Sequence, residues 1–192
     1  MFKQTLIATV LAAALAGPSY AAEMTRAEVK AAEDRITADV KAAKARCDNL
    51  SGNTKDICMA EAKAKEKIAK AELDARKKNY TPQARYDVEV ARADANYDIA
   101  KQKCDDKAGN DKDVCLKDAK VALTTAKSDA KVQYEANKSG NRANERVSET
   151  RADATQDKRR AEYLAARERC DAFSGDAKDR CVSDAKNRFG VN

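Results

Sequence analysis

The chain has 192 residues, with 38 Lys and Arg against 32 Asp and Glu, a formal net charge of +6, 36% charged residues and only 5% aromatics. It contains no His, which removes Ser-His and Cys-His nucleophile pairs from consideration. Abundant Ala, Glu, Asp, Lys and Arg with scarce large aliphatics excludes a thick globular core. The mixture approaches that of disordered chains and favours long helices or coiled coils.

Residues 1–21 carry the pattern of a secretory signal peptide. Lys3 supplies the positive start, Leu6 to Leu15 an apolar run, and Pro18 a break. Ser19-Tyr20-Ala21 then offers small residues where a signal peptidase reads, so cleavage is expected after Ala21, with Ala22 as the second choice. About ten apolar residues fall short of the roughly 20 needed for a membrane span, and no later segment is apolar enough to cross a bilayer. The expected mature chain is 22–192, exported, soluble and periplasmic, with a net charge of +5 once Lys3 is gone.

Helical periodicity with few breakers fills the rest. The first stretch places Val29, Ala32, Ile36, Val40, Ala43, Cys47 and Leu50 on one stripe. A tip near 51–53, centred on Gly52, turns the chain into a second helix. Gly52 is expected to close the first helix and Asn53 to cap the next, with Asp56 near its positive end. An elbow near 80–82 follows, where Thr81 as cap and Pro82 at the first position open a third helix. That helix carries the stripe Tyr86, Val90, Ala93, Tyr97, Ala100 and Cys104. A second tip near 109–110, with Gly109 and Asn110, leads to a fourth helix striped by Leu116, Ala119, Leu123, Ala126 and Ala130. A second elbow near 139–141 contains Gly140. From Asn141 to Arg160 the only large aliphatic is Val147, which predicts a solvated, mobile helix. A third tip near 174–176, with Gly175 and Asp176, precedes a short sixth helix. The expected fold is all-α: five long helices plus a short sixth, as antiparallel hairpins in an up-and-down bundle or extended array.

All six cysteines belong to one repeated word. Cys47 and Cys58, Cys104 and Cys115, and Cys170 and Cys181 are each eleven apart, with Gly, Lys and Asp recurring between them at matching offsets. In an unbroken helix residues eleven apart lie about 16.5 Å apart, whereas a disulfide needs Cα atoms within about 7 Å. Each pair therefore closes only if the chain reverses at its glycine, which puts both cysteines about 7.5 Å above the turn. Of about fifteen connectivities open to six cysteines, this geometry favours 47–58, 104–115 and 170–181. With stapled tips at every other reversal, all three share one end.

The chemistry on offer is sparse. Zinc and iron–sulfur sites favour close Cys pairs and often His, and redox dithiols favour C-x-x-C at a helix start; neither pattern occurs. An even cysteine count in an exported chain fits structural disulfides, so no metal and no cofactor is expected. Asp48, Asp105 and Asp171 recur after the first cysteine of each word, where solvation of a helix end explains them better than general-acid or ligand chemistry. Lys44, Arg46, Lys101, Lys103, Arg167 and Arg169 recur just before it. The helix dipole stabilises cations there; alternatively they form a basic cluster for an envelope protein or an anionic surface. Nucleic acid is not an expected partner, because export argues against it and no recognition motif or stacking aromatics occur. Narrow stripes leave room for completion by a second copy of the chain.

Two resemblances follow from these residues. The tripled cysteine word resembles that of small uncharacterised exported proteins of proteobacteria, which implies helical hairpins in an exported chain and no particular activity. The run from Ala60 to Ala71, rich in Ala, Lys and Glu, resembles in composition the long helical domain of TolA-type envelope proteins. That likeness implies helix, and TolA's trans-envelope role does not carry over. As a looser analogy, basic helical hairpins occur in periplasmic chaperones of the Skp type. The expected function is non-enzymatic, structural or interacting, in the cell envelope. The alternatives are a chaperone-like holdase and a thiol redox or metal-stress protein.

Overall fold

A computed structural model describes residues 23–138 and 143–191. Among these residues the fold is all-α, with no strand. The helices are α1 (Arg26–Cys47), α2 (Gly52–Lys77), α3 (Pro82–Cys104), α4 (Gly109–Ala136), α5 (Ala143–Arg169) and α6 (Gly175–Phe189), with a 3-10 turn at Cys170–Ala172. Five long helices and a short sixth are as expected. The proposed signal segment and the Gly140 elbow lie outside the described residues. Local signals explain the ends. A capping box joins Thr25 to Glu28 at the start of α1. At the start of α3, the Thr81 hydroxyl accepts from the Ala84 N–H and Pro82 occupies the first turn.

The caps at the tips differ from expectation. Gly52, Gly109 and Gly175 do adopt positive φ, between +54° and +56°. Yet α1 ends four residues earlier, at Cys47, with Asp48 as its C-cap. Ser51, Ala108 and Ser174 hold the N-cap positions, none with a side-chain cap bond. Asn53, Asn110 and Asp176 are therefore inside their helices. The left-handed glycine turns the chain directly into the following helix. That frees Asn53, whose Nδ2 donates 2.9 Å to the Gln102 carbonyl on α3.

Each helix packs chiefly on its neighbours in sequence, and α2 against α3 and α4 against α5 pack as extensively as any hairpin pair. The result is an open antiparallel layer, neither a closed bundle nor separate hairpins. The Asn53 bond, together with an Arg169–Asp118 ion pair between the C-terminus of α5 and the start of α4, places the stapled tips at one end.

A layer demands two seams on every interior helix, and the sequence stripes captured one. On α3 the expected stripe buries Ala93 and Cys104 and leaves Tyr86, Val90, Tyr97 and Ala100 half-buried. Ala84, Val88 and Ala95 are buried as well, with Ala84 and Val88 packed on Ala71 and Ala75 of α2. Leu50 and Ala126 sit on predicted stripes yet are exposed. Leu50 lies beyond the end of α1, in the turn. Twelve of the twenty buried apolar residues are alanine, so burial per residue is small and close approach supplies the packing.

The α5 segment also departs from expectation. It is one continuous helix along α4, burying Thr150 and Ala154 where large aliphatics are missing. Ion pairs edge that interface: Arg146 with Glu135, Lys158 with Asp129, Lys117 with Glu168 and Arg169 with Asp118. The side chain of Glu135 retains 13% exposure and that of Glu168 17%, so these two carboxylates are screened less than surface pairs.

Candidate functional site

The three stapled tips repeat one geometry. Disulfides join Cys47 to Cys58, Cys104 to Cys115 and Cys170 to Cys181, each with Cα atoms 5.6 Å apart. The reversal argument from spacing is met in all three. The first cysteine of each pair is fully buried and the second half-buried. No free cysteine and no cluster of metal-ligating side chains occurs among the described residues.

The recurrent aspartate acquires a partner here. Lys112 meets Asp105 at 2.8 Å, and Lys178 meets Asp171 at 2.8 Å, each across its own turn. The hydrogen bond from Lys178 holds the Asp171 carboxyl below the usual carboxylate range. Both side chains remain about half exposed, so the contribution is small. The repeat spacing already contains this signal: in both words the lysine follows the aspartate by seven residues, across the turn. In the first word, Asp48 and Lys55 form no such pair among the described residues.

The six recurrent cations divide into two sets. Lys44 reaches Glu66 at 3.4 Å on α2. Lys101 meets Asp98 at 3.5 Å and stands over the Tyr97 ring. Arg169 pairs with Asp118 on α4. Arg46, Lys103 and Arg167 form no ion pair among the described residues. In front of them lie the turns themselves, which hold nine aspartates against five Lys or Arg. The stapled end therefore has an acidic rim with unpaired cations behind it. Two of the three large apolar side chains exposed in the described residues also lie there. Leu50 and Phe173 occupy the same place in their repeats, Phe173 being 54% exposed. Lys107 takes that place in the middle tip.

A second feature stands at the opposite end. Tyr86 on α3 and Tyr134 on α4 stack with ring centroids 5.3 Å apart, and with the exposed Tyr80 they line a groove of about 590 Å³. The sequence puts Tyr86 on an apolar stripe and Tyr80 in the elbow near 80–82; nothing in it joins Tyr86 to Tyr134, 48 residues on, into one surface. The chain matches no family model, no curated protein and no solved structure. A functional reading therefore rests on its own residues.

Proposed function

We propose that this protein is a non-enzymatic, exported helical scaffold of the bacterial periplasm, with a structural or interaction role in the cell envelope exerted through its stapled end. The observation that carries this reading is the alignment of three disulfides at one end of an open helical layer. Such bonds persist in oxidising compartments, and a core built mostly of alanine needs them. The acidic rim with Arg46, Lys103 and Arg167 behind it favours a protein partner bearing both charges over a uniformly anionic membrane surface.

The test is fractionation with non-reducing mass mapping, then crosslinking from a photoreactive residue at position 46 or 103. Export, the three 11-residue pairings and capture of an envelope protein from those positions would support the reading. Free thiols in the native protein, or capture no better than from position 30 on the far half of α1, would overturn it. A holdase is the second reading, favoured by exposed Leu50 and Phe173 at the hairpin tips. It requires suppression of client aggregation that weakens with salt, and no effect at any ratio would end it.

A further inference from the structure

Volume does not distinguish the tyrosine groove, since four other grooves of about 410 to 610 Å³ lie between the helices. Its lining does, because none of those four gathers three aromatic rings. Tyr86 and Tyr134 are half-buried, with planes inclined by 39°. Tyr80 is 46% exposed and is carried on backbone in the left-handed region, φ +50°, directly after Asn79 at +49°. That conformation is unusual for a bulky residue and persists only where surroundings hold it. Here the Tyr80 N–H donates 2.8 Å to the Ala75 carbonyl, and Arg85 Nε donates 2.7 Å to the Tyr80 carbonyl. The elbow thus presents an aromatic ring to solvent on a braced backbone.

The polar groups around the rings define what would fit. Arg92 is paired with Glu72 and lies 3.8 Å from Glu89. With Arg85, the charges lining the groove sum to zero, and Lys138, whose Nζ stands 4.8 Å from the Tyr134 ring centroid, is itself paired with Glu135. Asn137 spends its Nδ2 on the Gln133 carbonyl, leaving its Oδ1 available. The Gln133 side chain makes no hydrogen bond among the described residues. Two side-chain amides and a set of mutually compensating charges therefore surround the aromatic rings.

We propose that this groove binds a neutral glycan chain, with one pyranose ring laid on the exposed Tyr80 and the next against Tyr86. A pyranose has an apolar C–H face that packs on an aromatic ring and an equator of hydroxyls that answers Gln133, Asn137 and Arg85. The same match of apolar plate and polar handle governs tyrosine-rich surfaces generally. A proline-rich peptide also docks on tyrosines, but its prolines offer carbonyl acceptors and no N–H, so the free Asn137 Oδ1 would meet no donor. The inference deepens the envelope reading by naming a second class of partner; it rests on that reading only for where the glycan is met.

The experiment titrates the oxidised full chain with a neutral N-acetylhexosamine tetramer. Binding is read by intrinsic tyrosine fluorescence, unmasked because the chain has no Trp, and by shifts of the tyrosine ring resonances. Saturable binding little changed by salt is expected. Tyr80→Ala should weaken it about tenfold, as loss of one stacking surface implies. Tyr80→Phe should stay within about threefold, and Phe173→Ala at the far end should change nothing. Helical content by circular dichroism checks that each variant folds. Absence of saturation at millimolar tetramer, equal binding by Tyr80→Ala, or tighter binding of a proline-rich peptide would overturn the proposal. Glycan binding by a chain that proves not to be exported would sink the envelope reading alone.

Discussion

The stapled tips and the first elbow reverse the same kind of helix by opposite means. At the tips, a left-handed glycine starts the new helix without any side-chain cap, and a disulfide five or six residues away holds the pair. At the elbow there is no glycine and no cysteine. Asn79 and Tyr80 take the left-handed conformation instead, Thr81 caps α3, and Arg85 braces the turn. The tips relieve backbone strain and rely on a covalent link, while the elbow retains strain and offsets it with hydrogen bonds. Rigid covalent ends suit a defined interaction surface. The elbow, by keeping Tyr80 in place of a glycine, keeps a ring exposed.

This contrast can be broken most sharply at the last hairpin. The 15-residue α6 packs on α5 and on the 3-10 turn that follows it, and a helix of that length is marginal by itself. Replacing Cys170 and Cys181 by Ser should remove about 3 kcal/mol of constraint. Amide exchange in α6 should then accelerate on the order of 100-fold, while α3 and α4 keep their protection. The equivalent change at Cys104 and Cys115 should accelerate exchange less, since both of those helices remain packed on two sides. Equal effects at the two sites would mean that the layer unfolds as one unit.

Glycine should be favoured in both places, so removing it from a tip and introducing it at the elbow should shift stability in opposite directions. Gly109→Ala meets no steric neighbour and should still cost about 1–2 kcal/mol, through the left-handed backbone alone. Asn79→Gly should stabilise by about 0.5 kcal/mol, the relief of that conformation less the added freedom of the unfolded chain. Urea unfolding measures both, and same-sign shifts would refute the assignment of strain to the elbow. Caps give the next largest effect. Thr81→Ala should cost about 1 kcal/mol, as a lost N-cap does. Ser51→Ala should stay within about 0.5 kcal/mol, because no cap bond is lost.

The smallest effect concerns the Asp–Lys pairs across the stapled turns. The Asp171 carboxyl titrates below its ordinary value, because Lys178 hydrogen-bonds to it. Its contribution is therefore present above the unfolded carboxylate value and is lost as pH falls through the lower folded value. Carboxyl resonances followed by NMR should show that low midpoint, and Lys178→Ala should return it toward the ordinary value. A midpoint indifferent to Lys178 would mean that the pair does not persist in solution.

Much of this fold was legible along the chain because its signals are local. Glycine spacing, the Thr81-Pro82 start and the eleven-residue interval of the cysteines each constrain a few residues of backbone, and the disulfide pairing follows from helix rise alone. The N-caps were misplaced because Asn53 is a good cap by type. Its side chain instead finds the Gln102 carbonyl on another hairpin, which no local rule reveals. α5 differs from its sequence expectation for a related reason. Its want of large aliphatics is real, but small residues and a ladder of ion pairs to α4 substitute for them, and those partners lie far away in sequence.

The sequence by itself determined six helices, three clasped tips and the end at which the clasps gather, since rise, turn chemistry and disulfide reach are set within a dozen residues. Tertiary structure decided that the hairpins join into one open layer, and that each interior helix buries a second seam. It decided which recurrent cations are already paired, and that three tyrosines share a groove. Those outcomes depend on lateral packing between helices, where alanine is permissive about the partner it accepts. Only the folded layer selects among the arrangements that such a surface allows.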